Sequence, residues 1–130
     1  MQLIVVPGSF AVCRLASDAG VHGLAQPWFL AATEDEVSLV CRSESIPAGA
    51  LAVEDGWALF KVAGVLEFGL VGVLAQICGV LADARIPVFV VSTYLTDYVL
   101  VQADHLPEAM DALTEAGHTF VNTGSGASEQ

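Results

Sequence analysis

Carboxylates dominate the chemistry-bearing side chains of this chain: 15 Asp and Glu stand against four Lys and Arg, a formal net charge of −11. General acid–base work needs groups held toward one another within hydrogen-bond reach, and no spacing here announces such a pair. His22, His105 and His118 are isolated, and there is no CxxC or HxxxH spacing, so no metal site is expected. Cys78 has no nearby histidine to act as its base, and Ser92 has no Ser-His-Asp setting. No catalytic residue and no cofactor are expected. One stretch has another kind of chemistry, Phe68-Gly69-Leu70-Val71-Gly72, where a helix begins. A helix N-terminus offers unpaired N–H groups and a partial positive charge. Glycines let a carboxylate approach that backbone closely. No Ser, Thr, Asp or Asn stands at the expected cap, so a ligand carboxylate could satisfy those donors. The alternative is that Gly69 and Gly72 serve only the turn and the helix–sheet contact.

The 130 residues make one compact domain or two very small ones. At this length folding buries roughly two-thirds of the unfolded surface, and 55% apolar residues supply a core. Arg14, Arg42, Lys61 and Arg85 cannot build a phosphate-binding patch, so nucleic acid and anionic membrane are poor partners. Mean hydropathy is +0.65. The longest apolar run, 70–82, is broken by Gln76 and two glycines and is too short to span a bilayer. No basic segment precedes the apolar run at the N-terminus, which argues against a secretory signal. The high hydropathy instead suggests apolar surface buried against a second copy, so a homo-oligomer, most simply a homodimer, is expected. Cys13, Cys41 and Cys78 are odd in number, widely spaced and set among apolar neighbours. They read as buried free thiols of a cytoplasmic protein, with a Cys13–Cys41 bridge as the open alternative.

The second half has legible periods. Residues 57–62 form a β-rich run. From Leu70 the pattern turns helical, with Val71, Leu74, Ile77, Cys78 and Leu81 on one stripe. That helix should end near residues 83–85, because Pro87 pushes Ile86 toward an extended conformation. Residues 86–93 form a buried strand, 94–97 a turn and 98–101 a return strand. Asp104 is the expected cap of a second helix with Pro107 in its first turn, and Gly117 closes it. A last short strand follows at 118–121. The order is β-α-β-β-α-β, a ferredoxin-like arrangement with an antiparallel sheet, both helices on one face and the other face in need of cover. Strands 57–62 and 86–93 are expected as parallel neighbours joined by the first helix. In the first half, 3–6 and 9–15 read as one strand interrupted at Pro7-Gly8, and 28–33 and 37–41 as a strand pair. The segment 17–27 is too short for a crossover helix. The expected division is 1–53 as a reduced β-rich half, 54–122 as the α+β unit and 123–130 as a disordered tail.

Three stretches carry a resemblance: Gly-Val-Leu-Glu-Phe-Gly-Leu-Val-Gly-Val-Leu at 64–74, Leu-Ala-Asp-Ala-Arg-Ile-Pro-Val-Phe at 81–89, and Ser-Thr-Tyr-Leu-Thr-Asp-Tyr-Val-Leu-Val at 92–101. They resemble the ACT domains of small stand-alone bacterial proteins and of the cytosolic arginine sensors of animal cells. Glu36-Val37-Ser38-Leu39-Val40-Cys41 resembles the N-terminal segment of the same proteins, so the first half is expected to be a reduced ACT-like half. The resemblance covers roughly 3–121, and its specific part is 92–101; the ferredoxin-like order alone is shared by many unrelated proteins. It implies a non-catalytic, allosteric regulatory module that binds an amino acid and pairs with other copies. It places ligand contacts at Gly69, Leu70, Val71, Gly72 and Val73, and at Thr93, Tyr94 and Asp97, to which the junction reading adds Phe68. The arginine sensors carry acidic residues just before the junction helix; here Gly69 and Leu70 take those places and Glu67 is the nearest acid.

With the resemblance in hand, Asp97 acquires a second reading. A turn Asp ordinarily bonds its own backbone; here its carboxylate would receive the ammonium of a ligand. Thr93 would add a hydroxyl and Tyr94 a ring face. A helix end and a carboxylate make opposite poles that suit a zwitterion. Two competing readings stand beside this one: a dimeric protein–protein interaction module without a ligand, and a small enzyme, for which no motif speaks.

Overall fold

The computed structural model describes residues 1–64 and 72–121. In chain order the elements are β1 (Gln2–Leu15), β2 (Phe29–Ala32), β3 (Val37–Arg42), a 3-10 turn (Ser43–Ser45), β4 (Ala52–Val62), α1 (Val73–Asp83), β5 (Phe89–Ser92), β6 (Asp97–Gln102), a 3-10 turn (Ala103–His105), α2 (Leu106–Glu115) and β7 (Thr119–Phe120). They fold as two compact units, Met1–Pro7 with Ala58–Gln130, and Gly8–Trp57.

In the first of these units the strand order is β7-β1-β4-β6-β5. β5 and β6 form an antiparallel hairpin with Phe89 opposite Leu100 and Ser92 opposite Asp97. β7 runs parallel to the start of β1, Gln2 opposite Thr119. Strands alternate their side chains between faces, so Ala58, Phe60 and Val62 share a face, as do Val99 and Val101. That face meets Ile77 and Leu81 of α1 and Ala109 and Leu113 of α2 in one core, which puts both helices on the same side. Phe60 and Phe120 meet edge to face at 5.7 Å. The α+β fold and the helix placement agree with the sequence. Leu59 and Leu100 alternate to the opposite face and are also fully buried.

Several boundaries move, each for a physical reason. β6 lies between β4 and β5, so these are not the neighbours that the sequence suggested: the return strand of the hairpin occupies the slot that the α1 crossover leaves. Gly72 precedes α1 in a left-handed conformation, φ 87, so helix begins at Val73, not at Leu70. Cys78 is half-exposed, at the margin of the expected apolar stripe. At the far end the Ile86 amide donates to Leu81 O at 2.9 Å and Arg85 takes φ 62, a closed helix terminus that spends Ile86. Pro87 then lacks a donor, and β5 starts only at Phe89. Asp104 does not cap α2. It sits in the 3-10 turn, and His105 stands at the cap position without a side-chain cap bond.

In the unit Gly8–Trp57 the order is β2-β3-β1-β4. β3 pairs antiparallel with both β1 and β2. Pro7-Gly8 does not interrupt β1; Gly8 carries the strand onward at φ 110. The core is Ala11, Cys13, Leu15, Val37, Leu39 and Cys41, covered by Val21, Leu24 and Trp28 from the loop and by Ile46 and Ala50. Loop side chains do here what a helix does in the other unit. All three cysteines are free thiols. Burial, followed by the neighbouring Cys13 thiol and carboxylates, pushes the Cys41 thiol up to about 12.

His118 makes a pH prediction. It is 4% exposed, its Nε2 has no hydrogen-bond partner among the described residues, and its Nδ1 faces the Met1 amino group at 3.4 Å. Burial first, and the N-terminal ammonium second, hold its pKa below the ordinary 6.5. The unfolded chain therefore takes up a proton that the folded chain refuses. Stability that is fully present above pH 6.5 is lost as pH falls from there toward the folded-state value. His118→Gln should flatten the fall in Tm between about pH 7 and about pH 5; an unchanged slope would assign that fall to other groups.

Candidate functional site

The expected site falls on two elements of one unit, the start of α1 and the β5–β6 hairpin. Phe68, Gly69, Leu70 and Val71, with Glu67, lie outside the described residues. Gly72 is the α1 cap residue, with no side-chain cap bond. A Cβ added there would meet nothing within 4 Å, so its glycine answers to the positive φ and not to crowding. Val73, the first helical residue, packs half-buried against the core.

The hairpin turn is built by threonines. The Thr93 amide donates to Thr96 O at 2.9 Å, and its hydroxyl donates to the same oxygen at 2.9 Å. The Thr93 hydroxyl that the sequence offered to a ligand is therefore already committed to its own turn. Tyr94 is 78% exposed at the tip. Thr96, which the sequence marked only as turn chemistry, is 8% exposed and donates from Oγ1 to Val62 O at 2.9 Å. Val62 ends β4, and Thr96 precedes β6, so these neighbouring strands run antiparallel. β4 and β5 are then parallel, and their C-terminal ends share an edge about 10 Å apart, two strand spacings.

Asp97 opens β6 and, by alternation, shares the helix-facing side with Val99 and Val101. Its charge is felt on α1: burial first and the Asp97 carboxylate second raise the thiol pKa of Cys78. Cys78 lies five residues past Val73, about 7.5 Å along the helix axis. Of the expected residues, then, Asp97 stands toward α1, Gly72 and Val73 form its start, and Thr93 and Tyr94 belong to the turn. Among the described residues no group of three or more His, Cys, Asp or Glu could hold a metal ion. None of their helices is long and apolar enough to cross a membrane.

Residues 52–115, from β4 through α2, match the family model of the ACT domain. The chain carries an ACT domain. Among solved structures, a protein from Agobacterium tumefaciens is similar over 99% of this chain and 97% of its own, at 28% identity and a TM-score of 0.85. The regulatory subunit of aspartate kinase from Thermus thermophilus, in its ligand-free form, is similar over 88% of this chain and 96% of its own, at 10% identity and a TM-score of 0.65. A protein from Vibrio cholerae is similar over 88% of each chain at 20% identity, with a TM-score of 0.63. The last two show the fold alone. No curated protein sequence matches the chain. The matched ACT segment contains both Gly72 and Asp97.

Proposed function

We propose that this chain is a non-catalytic regulatory module whose ACT domain binds a small metabolite, an amino acid above all, between the start of α1 and Asp97. The observation that carries the reading is electrostatic. α1 begins at a glycine with no side-chain cap bond, so among the described residues no capping side chain answers the positive end of the helix dipole. The Asp97 carboxylate acts on the same helix at Cys78. An α-amino acid brings a carboxylate for the first pole and an ammonium for the second. The likeness to a regulatory subunit of aspartate kinase supports the regulatory role by analogy of fold. Phe68 belongs to the proposal through the junction reading, and Gly69, Leu70 and Val71 through the family resemblance, as does Tyr94, whose exposed ring would border the ligand. Thr93 enters as the residue that shapes the turn.

Native mass spectrometry of the purified protein tests this: a bound mass that matches an amino acid supports it, and a bound cofactor or nucleotide contradicts it. The reading includes cytoplasmic residence and assembly with a second copy. β2, at one end of the strand order, carries the apolar residues Phe-Leu-Ala-Ala with Leu30 46% exposed. An edge without charge or proline invites pairing. Light scattering at tens of micromolar should give twice the chain mass, and a strict monomer would remove the assembly from the proposal.

A further inference from the structure

We propose that Thr96 is the positioning residue of this site: its hydroxyl, bonded to the carbonyl of Val62, sets where the Asp97 carboxylate stands over α1. The inference rests on the reading that Asp97 receives the ligand. Two hairpins of the chain make the case by comparison. In the β2–β3 hairpin, Thr33 does what Thr93 does, its amide donating to Glu36 O at 2.9 Å and its hydroxyl to the same oxygen at 3.3 Å. Ala32 faces Val37 there as Ser92 faces Asp97. The residue that corresponds to Thr96 is Glu36, whose exposed carboxylate accepts from Ser38 Oγ at 2.8 Å. The turn therefore forms without a buried threonine at that place. Where the carboxylate at the strand start is missing, replaced by Val37, the buried hydroxyl is missing too.

Thr96 thus does something beyond making a turn. It joins positions 34 residues apart in sequence and ties the residue before Asp97 to the last residue of β4. Val62 is itself held, since the next amide, Ala63, donates to Gln2 O at 2.8 Å. Asp97 is fixed on its other side by its register with Ser92. A carboxylate anchored in this way keeps its place relative to α1 whether or not a ligand is bound. Preorganised polar groups bind without the cost of ordering themselves first.

Cys78 reports on the geometry. Half-exposed on α1, its thiol feels the Asp97 charge, while Cys13 and Cys41 are buried. The experiment follows the pH dependence of alkylation of Cys78 by a small haloacetamide in the parent, D97N, T96V and T96S. Asp97→Asn should let the Cys78 thiol ionise at lower pH. Thr96→Val, which keeps the volume and removes the hydroxyl, should shift it in the same direction, and Thr96→Ser should restore the parent curve. For those of the twenty amino acids that raise the parent's Tm, T96V should weaken binding by about tenfold while T96S stays close to the parent. The inference is overturned if Cys78 in T96V titrates as in the parent. It is also overturned if Cys13 and Cys41 become reactive together with Cys78, since Thr96 would then be a residue of the fold at large. If no amino acid binds the parent, the reading of the site falls, while the thiol titration still decides whether Thr96 places Asp97.

Discussion

Asp97→Asn should weaken amino-acid binding by about 1.5–3 kcal/mol, the range for a hydrogen bond to a charged group, and leave the fold intact. The asparagine keeps the size of the side chain and the polar atoms at the strand start, so the register of Ser92 with Asp97 and the Thr93 turn have no reason to change. Only the charge is lost. A ligand ammonium placed there would lose its counter-charge, and its affinity would fall roughly 10- to 150-fold. Calorimetric titration of parent and variant measures the loss, and circular dichroism checks the fold. A variant that binds as tightly as the parent, or that fails to fold, makes Asp97 a structural turn residue.

The second large effect is on stability. Gly8 holds φ 110 within β1, and a Cβ there would lie 2.6 Å from Nη1 of Arg42. Arg42 has little room to yield: its Nε–H donates to Gln26 O at 2.9 Å and its guanidinium lies over the Phe10 ring at 5.0 Å. Gly8→Ala therefore meets backbone strain and a side-chain clash together, about 2–4 kcal/mol, or roughly 10 °C in Tm. Removal of the clash with Arg42→Ala in the same chain should recover part of that loss, because the two residues touch and their effects do not add. A Gly8→Ala chain that melts with the parent would mean that the strand passes Gly8 in an ordinary extended conformation.

Periodicity made the ACT unit legible. The β-rich run at 57–62, the helical spacing of Leu74, Ile77 and Leu81, and the stop signals at Pro87 and Gly117 each reflect a local force, and the structure follows them. The mistaken points come from forces that act at a distance. Residues 52–56 join β4 although Glu54, Asp55 and Gly56 are poor strand formers. The Leu51 amide, donating to Arg14 O at 2.8 Å just before that strand, marks where pairing overrides propensity. The order β4-β6-β5 is a choice of partners, which no window of the sequence encodes. Thr96 was hidden for the same reason. Its type and place suit a turn, and only the carbonyl of Val62, far away in the chain, gives its hydroxyl a second task. Cys78 sat on a helical stripe that the period could draw, but its exposure to the Asp97 charge depends on how the hairpin lies against α1.

The claim that this ACT domain is a sensor for an amino acid is tested most directly by thermal unfolding in the presence of each of the twenty amino acids in turn, parent beside D97N. A ligand at a hundredfold excess over its Kd adds about 2.7 kcal/mol, which raises Tm by several degrees in a chain of this size. The account predicts such a rise for one amino acid or a chemically related few in the parent, and its loss in D97N. A parent whose Tm no amino acid moves, or a rise of equal size in D97N, would contradict it.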